Sequence, residues 1–242
     1  MMTDTLTFYW GSGSPWAWRA MLGLELKGLA YESKLLQFSK GEHKSPQMLA
    51  LNPRGKVPVL VHGDVVVYES LAILAYLDRA FPEPPLFGAT PQEAAQVWRL
   101  LSEHDAYLAP AGVRIARPLF FGGPEAVEEK ADDIRAAADE LHKELAALEE
   151  RLGRGPWLAG KTPSAADATY FVSLQQVQRA AGKPAAEPLA LGFLPLGERY
   201  PKLAAWAERF AALPGVRWVQ PDTLRQADTD RSPQFIGADV IW

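Results

Sequence analysis

The run NPRGKVPVLVHGDVVVYES, residues 52–70, decides the fold, because a turn, a proline-led strand, a hairpin and a helix start follow one another without interruption. Asn52, Pro53, Arg54 and Gly55 read as a turn. Residues 57–61 then read as a buried strand, and Pro58 near its start cannot donate to a ladder. His62, Gly63 and Asp64 reverse the chain, residues 65–68 return as a second strand, and Glu69 and Ser70 stand where the apolar run 71–77 begins a helix. The unpaired amides of a helix start, with the positive end of its dipole, favour a carboxylate. The Glu69 carboxylate beside them suits an ammonium group, so one spot has the chemistry to hold the head of a free amino acid.

Working outward toward the N-terminus, residues 6–10 read as a first strand, 15–27 as a helix, 31–36 as a second strand and 45–51 as a short helical segment. The order is βαβ followed by ββα, which matches a thioredoxin-like sheet in which a parallel unit joins an antiparallel hairpin. Pro82, Pro84, Pro85 and Pro91 suit an extended linker rather than a helix. Past it the periodicity turns helical: Ile134, Leu141, Leu145, Leu148 and Leu152 share one face, as do Leu203, Trp206, Phe210 and Leu213. The expected division is a thioredoxin-like domain over 1–82, a linker over 83–91, an all-helical domain over 92–219 and a tail over 220–242. The acidic stretch 125–150 carries Lys130, Arg135 and Lys143 at helical spacings and reads as a solvated face. Ser164 reads as an N-cap with Asp167 three residues on, Asp replacing the usual Glu of a capping box.

Composition narrows the chemistry. With 242 residues and 48% hydrophobic content, the chain can bury a substantial core. A net charge of -4 and the lack of a basic patch argue against nucleic acid and membrane partners. No leader-like segment or long apolar run is evident, which points to a cytoplasmic protein. Cysteine is absent, so a thiolate nucleophile or a disulfide framework is excluded and any thiol must come from a ligand. The four histidines, at 43, 62, 104 and 142, do not fall at metal-ligand spacing, and no metal site is expected.

The Val57-Pro58 edge followed by Glu69-Ser70 at a helix start closely resembles the glutathione-binding half of the cytosolic glutathione transferases. The stretch SPWAWR, from Ser14 to Arg19, resembles the opening of the serine-type members, with Trp16 where Phe is more usual. GEHKSP, from Gly41 to Pro46, resembles plant-type and theta-like members, and WLAG with Ser164 and Asp167 resembles the family's buried helix start, where both residues serve folding. The likeness covers about residues 6–219; the tail has no clear template in the family.

The resemblance implies glutathione as co-substrate and assigns roles along it. Ser14 is the candidate catalytic residue, with Ser12 as runner-up. A hydroxyl at a helix N-terminus donates to a thiolate, and the dipole adds a favourable field, so both lower the thiol's pKa. Ser14 followed by Pro15 is also an efficient N-cap, and the two roles can coexist. His43 and Lys44 face the glycine carboxylate, with Lys44 favoured because its charge is permanent at pH 7. Lys56 either steadies the same peptide from the other side or is a surface lysine. The Val57 backbone pairs with the cysteinyl peptide group, with Pro58 cis, and Glu69 and Ser70 take the amino acid head.

The electrophile pocket is expected between the domains, with Trp10, Trp16, Tyr107, Ala111 and Arg114 as candidates, although aromatic residues at this spacing also suit a core. The expected protein is a homodimeric glutathione transferase acting on small hydrophobic electrophiles. A specialised lyase, dehalogenase or isomerase using the same thiolate is one alternative, and a non-catalytic binding or scaffold protein of this fold is another.

Overall fold

The computed structural model describes residues 5–218. It divides into two compact units, one of residues 5–86 with 211–218 and one of residues 87–210. The tail 220–242 lies outside the described residues.

The first unit is a four-stranded mixed sheet with helices, as a thioredoxin-like domain requires. Strand β1 (Leu6–Trp10) leads to α1 (Pro15–Leu26) and to β2 (Tyr31–Leu35). Two single turns of tight helix and α2 (Pro46–Leu51) precede β3 (Val59–His62), β4 (Val65–Tyr68) and α3 (Ser70–Ala80). The strand order is β2-β1-β3-β4. β1 runs parallel to β2 with Leu6 opposite Tyr31, and antiparallel to β3 with Leu6 opposite His62. β3 starts two residues later than the expected 57. The reason is Pro58: without an N–H it cannot enter a ladder, so pairing begins at Val59, opposite Tyr9 and Tyr68.

Leu6, Phe8 and Trp10 alternate inward along β1, and Val59 and Leu60 are wholly buried beside them. α1 packs on α3, and Ala20, Met21, Leu24, Ile73, Leu74 and Leu77 are wholly buried along the two helices. The start of the proline-rich connection is fastened to this unit. Burial lowers the pKa of Lys27, whose ammonium donates to the Phe81 and Pro84 carbonyls at 2.6 Å each and faces Asp78 at 3.7 Å. Asp78 in turn accepts the Leu86 N–H at 2.6 Å.

The second unit is helical: α4 (Pro91–Glu103), a π-helical turn (His104–Leu108), α5 (Ala109–Phe121), α6 (Gly123–Glu129), α7 (Ala131–Arg151), α8 (Ala165–Ala181), α9 (Leu196–Arg199) and α10 (Pro201–Ala211). The π-turn escapes a reading of periodicity. Pro110 offers no N–H to the carbonyl four residues back, and the Ala109 N–H reaches instead to His104, five residues back. α8 is the central helix, packed against α4 and α5. Phe171, Trp206 and Phe210 form an aromatic cluster in its core. On the outer face, Arg135 pairs with Asp132 in solvent, consistent with a solvated acidic helix.

Residues 211–218 depart from the expected boundary at 219. They carry α11 (Pro214–Trp218), which packs on α1 in the sheet unit instead of on the helices. Gly215 permits this, since a Cβ there would lie 2.5 Å from the Glu25 carbonyl oxygen. Val216 is completely buried.

Two buried polar groups organise the helical unit. Asp167, with no exposed surface, accepts from the Leu158 N–H at 2.9 Å, the Trp206 indole at 2.8 Å, and the Ser164 N–H and hydroxyl at 2.9 and 2.8 Å. Burial pushes its carboxyl upward and these donors oppose the push. Asp167→Ala would strand several buried donors at about 1–3 kcal/mol each. We expect a thermal midpoint lowered by ten degrees or so, or loss of folded protein, by circular dichroism. The other group is His142, whose Nε2 donates to the Leu191 carbonyl at 2.8 Å while Nδ1 lies 3.0 Å from the Tyr200 hydroxyl, which donates to the His142 carbonyl at 3.1 Å. Burial lowers its pKa below the ordinary imidazole value. Between the lowered value and about 6.5, unfolded chain therefore binds more protons than folded chain. Stability should be full above about pH 6.5 and fall as pH drops through that window, and His142→Gln should flatten the fall in urea unfolding curves.

Candidate active site

The loop Gly11 to Ser14 follows β1 and opens α1. Ser14 has extended backbone angles, Pro15 takes the first helical position, and the Ser14 Oγ accepts the Ala17 N–H at 3.2 Å. That bond uses a lone pair and leaves the hydroxyl proton to donate elsewhere. Ser14 is partly exposed, so the hydroxyl is within reach of a ligand.

At the start of α3, Glu69 sits at φ 68°, a left-handed conformation uncommon for a residue with a side chain. Such backbone strain clusters at functional sites. The Glu69 carboxylate projects into solvent with the Arg54 guanidinium 3.9 Å away, a loose exposed pair that a ligand can displace. Ser70 is buried, and its Oγ accepts from Arg19 Nε at 3.1 Å and Nη2 at 2.6 Å. Its side chain therefore braces the site through Arg19, while its main chain begins the helix. Arg19 also lies 4.8 Å over the Trp16 ring.

Val57 precedes the first ladder pair, and the Val57-Pro58 peptide is cis. The turn before it is set by Asn52, buried in the fold, whose Oδ1 accepts the Arg54 N–H at 3.1 Å and whose Nδ2 donates to the Lys56 carbonyl at 2.9 Å. The Lys56 and Lys44 side chains are exposed. His43 is half-buried and its Nδ1, shielded from solvent, makes no hydrogen bond among the described residues.

The pocket candidates fall in both units, Trp10 and Trp16 in the sheet unit and Tyr107, Ala111 and Arg114 in the helical unit. Trp10 is 1% exposed and donates its indole N–H to Ser33 at 2.7 Å, so it belongs to the sheet core and offers no wall to a ligand. Trp16, 39% exposed, does offer a ring face. In the helical unit the π-turn breaks the regular four-residue spacing: Tyr107 is 61% exposed and Ala111 1%, so they do not present one surface. Arg114 is committed to Asp133 at 2.6 Å and Glu140 at 2.7 Å, which tie α5 to α7. Tyr107 instead lines a groove of about 370 Å³ with Arg99, Glu103, Glu144, Arg151 and Tyr170.

Asn52 and the loop residue Phe38 carry structural weight at the site that local patterns do not assign, whereas Arg19 closes the SPWAWR motif and is buried. Among the described residues no cluster suits a metal ion, and no helix is long and apolar enough to cross a membrane.

This architecture has close counterparts. A family model described as the N-terminal domain of glutathione S-transferases matches residues 13–80, and one for the C-terminal domain matches residues 93–209. The chain belongs to the glutathione S-transferase family. It is 33% identical over 246 residues to glutathione S-transferase A of Pleuronectes platessa, covering 99% of each chain. Among solved structures, glutathione transferase URE2P6 of Phanerochaete chrysosporium, in complex with oxidized glutathione, aligns with a TM-score of 0.70 at 26% identity, covering 89% of this chain and 94% of that one. Beta-etherase LigF of a Sphingobium strain aligns with a TM-score of 0.72 at 26% identity, covering 88% and 97%.

The Arg19 to Ser70 tie has a measurable weight. Ser70→Ala removes the acceptor of two charge-assisted hydrogen bonds in a buried setting and should cost about 2 kcal/mol in urea unfolding. Ser70→Thr, which retains a hydroxyl, should cost less.

Proposed function

We propose that this glutathione transferase activates the glutathione thiol with Ser14 and adds it to small hydrophobic electrophiles. The observation that carries the reading is the Ser14 hydroxyl at the N-terminus of α1, with its lone pair committed to the Ala17 N–H and its proton free to donate. Donation to the ligand sulfur and the field of the helix both favour the thiolate over the thiol, and the thiol proton leaves to water. The thiolate then attacks an electrophilic carbon, forming the carbon–sulfur bond and either expelling a leaving group or adding across a double bond.

The rest of the peptide follows the chain outward from Ser14. The Val57 backbone, ahead of the sheet ladder, pairs with the cysteinyl peptide group, and Pro58 leaves that edge unobstructed. Glu69 takes the ammonium group in place of Arg54, and the main-chain amides at Ser70 take the neighbouring carboxylate. Lys44 supplies the positive charge for the glycine carboxylate, with His43 beside it, and Lys56 steadies the peptide from the other side. Trp16 is the exposed aromatic surface of the sheet unit that we assign to the electrophile. The protein acts in the cytoplasm, in detoxification, as a homodimer; the exposed Val65 and Val66 on edge strand β4 support a partner, because an apolar edge left open invites pairing.

A glutathione-dependent lyase that cleaves ethers is the second reading, favoured by the likeness to the beta-etherase. It uses the same activated thiolate and differs only in the bond broken.

The deciding experiment titrates glutathione calorimetrically into wild type and Ser14→Ala while thiolate absorbance is followed against pH. Wild type should bind with a depressed thiol pKa. Ser14→Ala should still bind, should titrate at higher pH and should lose about tenfold to a thousandfold in kcat/KM. Turnover of an aryl ether but not an aryl halide would favour the lyase. No binding to wild type would leave a non-catalytic protein of this fold, and binding with an unchanged thiol pKa would remove Ser14 from catalysis.

A further inference from the structure

Phe38 occupies a position that neither strand pairing nor helix packing demands. It follows β2 directly, where the Leu36 N–H donates to the Trp10 carbonyl at 2.8 Å and so extends the β1–β2 pairing up to the loop that carries Ser14. The ring lies flat against Gly11: a Cβ on Gly11 would stand 2.3 Å from the ring's Cζ and under 3 Å from both Cε atoms. The ring also meets the His43 imidazole edge-on, with centroids 5.0 Å apart. Yet Phe38 is 42% exposed, an open placement for so large an apolar group.

The turn holding this ring is built to stay closed. The Gln37 N–H donates to the Glu42 carboxylate at 2.7 Å, Gly41 takes the left-handed φ of 69° that closes the turn, and the Lys44 N–H returns to the Gly41 carbonyl at 2.8 Å. Phe38 is thereby presented to both sides at once. Among the described residues His43 Nδ1 has no hydrogen bond to fix its edge, so the aromatic contact is what orients that side of the imidazole.

We propose that Phe38 is a positioning residue, an aromatic clasp that joins the Gly11–Ser14 loop to the His43–Lys44 turn and so sets the distance between the thiol end and the glycine end of the bound peptide. The inference rests on the glutathione reading given above for those two loops. It makes the glycine at position 11 a requirement of the clasp, since any side chain there pushes the ring away. Because the ring is the free end of an exposed side chain, it swings aside without moving the backbone, and Gly11→Ala then has the same effect as removing the ring.

Four proteins test this: wild type, Phe38→Ala, Gly11→Ala and the double variant, with Phe38→Tyr as the conservative control. Each single variant should bind glutathione about tenfold more weakly, the order of one aromatic contact, and should titrate the bound thiol at higher pH. The double variant should be no worse than either single one, because both remove one interaction. Phe38→Tyr should behave as wild type. Amide hydrogen exchange on the ligand-free proteins should speed up in both segments, 11–14 and 41–45, in each single variant. Additive losses in the double variant, or exchange that rises only in the segment mutated, would overturn the clasp. If wild type fails to bind glutathione, the functional reading falls, and the exchange pattern alone decides whether the two loops are joined.

Discussion

The buried guanidinium of Arg19 is the constraint on which the site depends. It arises from an otherwise apolar stretch of α1, lies against the Trp16 ring and directs two N–H groups at the Ser70 hydroxyl. A charge taken out of water is tolerated only where hydrogen bonds meet it, so the arrangement holds at one separation of α1 from α3 and penalises others. Those helices begin with Ser14 and Glu69 at their N-caps, the two ends of the chemistry assigned to the peptide ligand. A flexible tie would leave the distance between them to thermal motion. A planar fork bound to one oxygen does not.

The helical unit repeats the same logic with different groups. Asp167 gathers the start of α8, the preceding loop at Leu158 and the indole of α10 onto one carboxylate. His142 does so for α7, the loop at Leu191 and Tyr200. Apolar burial drives these helices together, but it is tolerant of sliding; polar groups with fixed partners choose one register among several of similar apolar area.

What could be read from the chain follows from how local each feature is. The strands declare themselves through alternation at Leu6, Phe8 and Trp10, and the helix starts through Ser14, Ser45 and Ser164, whose caps need only the next three residues. Pro58 displaces the start of β3 by a rule that is equally local, its missing donor. The π-turn was not visible as periodicity, since one extra residue per turn looks like ordinary helix until Pro110 is weighed. Arg114 and Trp10 make contacts that escape a local reading for another reason. Their partners, Asp133 and Glu140 for one and Ser33 for the other, are remote in sequence, and no spacing rule connects a side chain to a group it meets only after folding. The same holds for Phe38 on Gly11.

The return of α11 to α1 has a consequence for how the protein is made. The first helix of the sheet unit is covered by nearly the last described residues, with the entire helical unit encoded between them. During synthesis the sheet can pair once β4 has left the ribosome, but the face of α1 around Glu25 stays open until residue 216 arrives. The sheet unit is thus begun before the helical unit and completed after it, and a chain that stops within the helical segment leaves the α1 face around Glu25 uncovered before the cell's quality-control machinery.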